Sequence, residues 1–123
     1  MKKTILTLVS ALALSGAALA QQGVGKDTLT LGSIQDLSGP LAGFGKQVRM
    51  GMLLAVEELN EQGGIHGRPV EFISLDDGYS PSKTVEATRR LVEQDRVLLM
   101  FGALGTATNM AVQAYLNDRK VPQ

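Results

Sequence analysis

The chain contains no cysteine and no tryptophan, and only 4% of its 123 residues are aromatic. Without cysteine there can be no disulfide framework, thiolate metal site, Fe–S cluster or cysteine nucleophile. The scarcity of aromatic rings argues against a surface on which nucleic-acid bases stack. Basic and acidic residues number 12 each, so a net charge of zero provides no basic footprint for nucleic acid. These exclusions are compatible with a globular chain, and its length is enough for one domain.

Residues 1–20 carry the pattern of a secretory signal peptide. The basic start Lys2-Lys3 precedes a mostly apolar stretch over 5–14, and Ala18-Leu19-Ala20 is a small-x-small cleavage motif. A membrane anchor is the alternative, but the apolar run is shorter than the roughly 18–20 residues that a membrane span needs. No cysteine follows that could carry a lipid. We therefore expect export, with cleavage before Gln21.

The remaining chain alternates strand and helix patterns. After a loose leader over 21–27, we predict strands over 28–34, 69–75 and 97–101, and helices over 46–62, 81–95 and 107–117. The last strand is uninterrupted apolar sequence, which suits burial on both faces of a parallel sheet. The order βαβαβα predicts an α/β fold of three layers, a parallel sheet with helices on both faces.

Two expectations concern how the helices meet the sheet. Gly51 lies near the apolar stripe of the first helix, where a missing side chain would allow close approach to the sheet. In the third helix, we predict Met110, Ala111 and Ala114 as the inward-facing stripe.

Binding sites in parallel sheets form at the carboxyl ends of strands, where neighbouring connections leave in opposite directions. If the first strand lies between the other two, the loops over 35–45 and 102–106 wall such a crevice. Each loop precedes a helix, and helix N-termini hold anions through unpaired N–H groups. Thr106 adds a hydroxyl at the predicted N-cap. These residues alone leave two interpretations open, capture of a ligand carboxylate or an ordinary capped turn.

Phe44 lies between two glycines in the first of these loops. Its ring is placed either to stack on a ligand or to pack against the following helix as a hydrophobic staple. The residues alone do not choose between the two.

Other chemistry-bearing residues point to no reaction. Asp76-Asp77 follows the second strand, whereas a phospho-receiver needs its acidic pair after the first, so we expect the pair to organise a turn. His66 is the only histidine and is expected in an exposed turn, without partners for a metal site or a catalytic triad. Phosphate-binding and dinucleotide-binding loops are absent. We predict no catalytic residue, no metal and no cofactor.

Several runs, taken in order and at their spacings, carry a family resemblance: Leu37–Gly45, Ala55–Gly67, Asp76-Asp77 with Pro81, and Gly102–Thr106. Together they resemble the type I periplasmic binding proteins of branched-chain amino acid ABC transporters, the leucine/isoleucine/valine-binding protein family. The resemblance covers residues 28–123.

The resemblance implies an incomplete first lobe of a protein in which two α/β lobes close on a ligand. Residues 28–123 would be the N-terminal part of that lobe, with the second lobe absent. It also implies a non-enzymatic, monomeric periplasmic protein that delivers an amino acid or related carboxylate to an ABC permease in the inner membrane. The same lobes serve as ligand-sensing domains of receptors, which is the alternative function.

The resemblance further assigns ligand-binding positions. It implies that Thr106 binds the ligand carboxylate, that Phe44 is an aromatic of the pocket, and that Leu104 and Gly105 line it. In some relatives cysteines at the positions of Tyr79 and Gly105 form a disulfide, and that staple is missing here.

Overall fold

The computed structural model describes residues 21–123, and the predicted signal peptide at 1–20 lies outside the described residues. Its elements are β1 (Leu29–Gln35), α1 (Ala42–Glu61), β2 (Val70–Asp76), α2 (Pro81–Arg89) and α3 (Thr106–Asp118), with a π-helical extension of α2 over Arg90–Gln94. Among these residues, no helix combines the length and apolarity needed to cross a membrane.

β1 is the central strand. It pairs in parallel with β2, from Leu29 opposite Val70 to Gln35 opposite Asp76. On its other edge, Gly32 forms a parallel bridge with Met100. β1 therefore lies between the other two segments, which is the arrangement that the predicted crevice requires.

The strand predicted over 97–101 is reduced to that single bridge, so the two-stranded sheet is smaller than predicted. The segment still bonds β1, because the Leu98 and Phe101 N–H groups donate to the Thr30 and Gly32 carbonyls, but the leader interrupts the start of this ladder. The Thr30 N–H donates to the Gly23 carbonyl at 2.9 Å, and the Val97 carbonyl accepts from the Gln22 side-chain amide at 3.0 Å. Backbone groups that would extend a ladder are therefore bonded to the leader, which is held in place and is not loose as predicted.

Helices lie on both faces of the sheet. On one face, the Ser33 hydroxyl of β1 approaches the Met52 sulfur of α1 at 4.0 Å. On the other, Gly32 lies close to the side chains of Leu91 and Val97. This second face holds the core, whose buried members are Ile34, Leu91, Val92, Val97, Met100, Val112, Leu116 and Val121.

α1 begins at Ala42, four residues before the predicted start at 46. Gly43 and Gly45 suggested a loop here. Instead, the Asp36 carboxylate, which follows β1 directly, holds the turn from which α1 starts. Gly51, predicted to face the sheet, has no atom within 4 Å of the position its Cβ would take. That prediction is wrong because α1 turns this part of its surface to solvent.

The predicted inner stripe of α3 is also wrong. Met110 is 70% exposed, and Ala111 and Ala114 are exposed. The buried positions of α3 are Thr108, Val112 and Leu116. α3 packs mainly against α2, and this contact turns the Val112 side of the helix inward.

Candidate functional site

The turn before α3 is bonded to the carboxyl end of β1. The Leu104 N–H donates to the Ile34 carbonyl at 2.9 Å. The Gln35 side-chain amide donates to the Gly102 carbonyl at 2.7 Å. Three of the predicted ligand-binding residues, Leu104, Gly105 and Thr106, are therefore held at the end of the central strand.

The loop before α1 already contains a carboxylate. Asp36 is fully buried and accepts hydrogen bonds from the Gly39 N–H at 2.5 Å and the Leu41 N–H at 2.6 Å. Its negative charge lies where an anionic ligand would approach the start of α1, and the same charge favours the helix N-terminus. Of the two interpretations that the sequence leaves open, the loop before α1 fits the ordinary capped turn.

Asp76 joins the ends of β1 and β2. Its Oδ1 accepts from the Leu37 N–H at 2.8 Å and from the Gly78 N–H at 3.0 Å. Burial raises the pKa of Asp76, but hydrogen bonds from the Ser38 hydroxyl and from the backbone N–H groups of Leu37, Gly78 and Ser38 outweigh it and leave the pKa below its usual range. The ionised carboxylate therefore helps to fix the β1 loop.

Asp77 organises the turn before α2. It is buried and accepts from the Tyr79 N–H at 2.8 Å and from the Thr84 hydroxyl at 2.7 Å. The predicted role of the Asp76-Asp77 pair in a turn is confirmed by these contacts.

The start of α3 differs from the prediction in its capping. Gly105 is the N-cap, with φ 103°, and Thr106 is the first helical residue, without a side-chain capping bond. Thr106 therefore does not have the predicted capping role. Its exposed hydroxyl has no partner among residues 21–123.

The polar side chains of α3's first turn bind carbonyl groups. The Thr108 hydroxyl donates to the carbonyls of Leu104 at 2.6 Å and Gly105 at 2.9 Å, and the Asn109 amide donates to the carbonyl of Ala103 at 2.9 Å. In the described part of the chain, the N–H groups of residues 106–108 have no hydrogen-bond acceptor. A helix start with open N–H groups can hold an anion.

Tyr79 packs on the predicted turn. A Cβ added to Gly105 would lie 2.5 Å from the Tyr79 ring and 2.7 Å from the Thr108 hydroxyl. Tyr79 itself has φ 60°, an uncommon conformation for a bulky residue. Tyr79 and Gly105 are thus in contact with each other. They are the two positions at which the resemblance implies a disulfide in some relatives.

Phe44 lies in the first turn of α1 and is 59% exposed. This exposure argues against the staple interpretation, because a staple buries its aromatic ring against the helix. The next residue, Gly45, packs directly on the Asp36 carbonyl oxygen just beyond β1. Phe44 is therefore presented to solvent near the carboxyl end of the central strand.

Residues 21–123 contain no group of three side chains suited to hold a metal ion. His66 lies in an exposed turn with φ 51°, as predicted. The donor set of the described site is one of backbone N–H groups and hydroxyls, which suits binding of a carboxylate.

Comparison with known proteins identifies the fold around this site. Residues 28–123 match the model of the periplasmic binding protein family. The chain belongs to that family. Periplasmic binding proteins are non-enzymatic, in agreement with the predicted lack of catalytic residues.

Individual relatives of this periplasmic binding protein chain are similar in sequence and structure. The Leu/Ile/Val-binding protein BraC3 of Rhizobium johnstonii is 32% identical over 121 residues, which are 98% of this chain and 31% of that protein. The Streptococcus pneumoniae branched-chain amino acid transporter substrate-binding protein LivJ, solved with isoleucine, is 30% identical with a TM-score of 0.74. That match covers 78% of this chain and 28% of LivJ. The resemblance to the leucine/isoleucine/valine-binding proteins is confirmed.

A third relative is named for a different ligand. A fatty acid ABC transporter substrate-binding protein from Thermomonospora curvata is 33% identical with a TM-score of 0.74, over 83% of this chain and 26% of that protein. This periplasmic binding protein chain thus spans between a quarter and a third of the length of these relatives.

Proposed function

We propose that this chain forms the N-terminal part of the first lobe of an ABC-importer substrate-binding protein. It would bind a branched-chain amino acid or a related small carboxylate and deliver it to an inner-membrane permease. The observation that supports the proposal most directly is the open start of α3, where the N–H groups of residues 106–108 have no acceptor in the described chain.

The proposed ligand contact is a carboxylate on this helix start. Thr106 would donate its hydroxyl to one carboxylate oxygen, beside the backbone N–H groups and the partial positive charge of the helix. Leu104 and Gly105 would line the contact, and Phe44 would cover the ligand from the α1 side. Asp36 disfavours an anion at α1, so the carboxylate is directed to α3.

A carboxylate is the chemical group shared by isoleucine, with which one relative was solved, and a fatty acid, the ligand for which another is named. The proposal therefore specifies the carboxylate as the group of the ligand that is recognised. Branched-chain amino acids are the favoured ligands because curated relatives of the chain are Leu/Ile/Val-binding proteins.

Export is the first expected result. Signal peptidase should cleave before Gln21 and release the chain to the periplasm. Mass spectrometry of protein from the periplasmic fraction should therefore show a chain that starts at Gln21-Gln22, with Gln21 either free or cyclised to pyroglutamate. A membrane-bound product that retains Lys2 and Lys3 would contradict the proposal.

Residues 21–123 on their own should bind leucine weakly. A single lobe leaves much of the ligand in contact with water, whereas binding sites in proteins commonly bury most of a ligand's surface. We expect a Kd of about 1 mM or weaker, equivalent to roughly 4 kcal/mol. In an NMR titration, the amide resonances of residues 104–108 should shift together and saturate. Absence of any shift at saturating leucine would refute the proposed site.

Two substitutions at one position provide the control. Thr106→Val keeps the side-chain shape but removes the donor, and a hydrogen bond to a charged group contributes about 1.5–3 kcal/mol. The Kd should therefore rise about tenfold or more, while Thr106→Ser should bind nearly as the wild type does. Because Thr106 makes no capping bond, both variants should melt close to the wild-type temperature.

A further inference from the structure

Gln35 is a buried polar residue in the position where a strand usually contributes an apolar one. Its side chain is fully buried at the end of β1. The amide nitrogen donates to the Ser33 hydroxyl at 2.9 Å and to the Gly102 carbonyl at 2.7 Å. The amide oxygen is buried and has no partner among the described residues.

This arrangement stabilises the fold little. A buried amide with an unpaired oxygen carries a desolvation cost that offsets much of what its two hydrogen bonds contribute. An apolar side chain of similar volume would avoid that cost. What the amide supplies is a fixed link between residues 35 and 102, which are distant in sequence.

The link acts on the turn that precedes α3. Gly102 has φ 60°, and the next bond from this turn to β1 is from the Leu104 N–H to the Ile34 carbonyl. Without the Gln35 bond, Leu104 would provide the one remaining hydrogen bond from residues 102–105 to β1, after the bond from the Phe101 N–H to the Gly32 carbonyl. The orientation of the first N–H groups of α3 depends on this turn.

We propose that Gln35 is a positioning residue for the ligand site: its side-chain amide fixes the turn over 102–105 so that the start of α3 faces the ligand. Gln35 does not contact the ligand in this role. The inference rests on the proposed function for its ligand, but the effect on the turn is independent of any ligand.

The test uses the exported chain carrying Gln35→Met, which keeps the length of the side chain and removes the donor. Amide hydrogen exchange should become about tenfold faster at Leu104, the factor expected when one hydrogen bond worth about 1.4 kcal/mol is lost. Exchange at Val112 and Leu116 in the core of α3 should change much less. Unchanged exchange at Leu104 would overturn the proposal.

Asn60→Leu is the matched control. The Asn60 side chain also bonds backbone, accepting from the Val70 N–H at 2.7 Å and donating to the Val70 carbonyl at 2.9 Å, but at the amino end of the sheet. This variant should leave exchange at Leu104 as in the wild type. Faster exchange at Leu104 in both variants, in step with lower melting temperatures, would assign Gln35 a general structural role and overturn the proposal.

A leucine titration separates this inference from the proposed function. With saturable shifts in the wild type, Gln35→Met should weaken binding at least about fivefold, while Asn60→Leu should bind as the wild type does. Equal affinities in all three proteins would overturn the positioning role. If the wild type shows no shift, the proposed function fails, and hydrogen exchange at Leu104 alone decides the role of Gln35.

Discussion

Replacement of Leu91 by alanine should lower the free energy of unfolding by about 2–5 kcal/mol. The Leu91 side chain is 0% exposed, in the π-helical extension of α2, and one of its methyl groups lies against Gly32 of the central strand. The cavity left by the truncation is bordered by a strand and a helix, which limits collapse. Because small domains are stable by only about 5–15 kcal/mol, a loss of this size would remove a large share of the chain's stability.

Urea unfolding followed by circular dichroism measures this loss. Leu54→Ala is the control, because Leu54 lies on the solvent side of α1 and is 60% exposed. Its free energy of unfolding should change by no more than about 0.5 kcal/mol. Similar losses in the two variants would show that the core does not lie between the sheet and α2.

Gly45→Ala should be destabilising by about 1–3 kcal/mol, although alanine is the better helix former. Gly45 is the one buried residue of α1, and a Cβ there would collide with the Asp36 carbonyl oxygen. Neither a Cβ nor a backbone carbonyl oxygen can avoid the collision by changing a side-chain rotamer. The helix α1 would therefore have to move away from the end of β1. This movement would strain the hydrogen bond from Leu41 to Asp36.

Gly51→Ala in the same helix provides the opposite expectation. No atom lies within 4 Å of the position that its Cβ would take. The substitution should therefore raise the free energy of unfolding by about 0.5–1 kcal/mol, through helix propensity alone. Thermal melts of the two variants should move in opposite directions. Two shifts of the same sign would contradict the packing of Gly45 on Asp36.

Local sequence was sufficient for β1 and β2. Both observed strands lie within one residue of their predicted bounds, because alternating or branched residues end at turn-forming sequence such as Asp77-Gly78. The segment over 97–101 was less predictable. Its apolar run indicates burial, which holds for Val97 and Met100 but not for Phe101, which is 47% exposed. The segment bonds β1, but its ladder is interrupted because Gln22 binds the Val97 carbonyl and Gly23 binds the Thr30 N–H.

The faces of the helices show a related limit. α3 carries two stripes at helical spacing, and only its contact with α2 determines that the Val112 stripe is buried. For α1, Gly45 suggested a loop, whereas close packing on Asp36 requires a glycine inside the helix. Sequence periodicity gives the spacing of a stripe and does not identify its partner.

The candidate site also contains residues that the sequence reveals and residues that it does not. Thr106 and its turn are visible in the sequence because the glycines and the hydroxyl are neighbours in the chain. Gln35 and Tyr79 were not recognised from the residues, because one bonds a backbone carbonyl and the other covers a glycine in a distant turn. A glutamine directly after the predicted strand was the one available signal for Gln35.

The docked leader also fixes which way the molecule can be presented on a support. Gln22 is anchored to the carbonyls of Val92 and Val97, and Gly23 accepts from Thr30 near the amino end of the central strand. The candidate site lies at the opposite end of that strand. Attachment of the protein to a sensor surface through the amino end of this leader would therefore orient the start of α3 away from that surface.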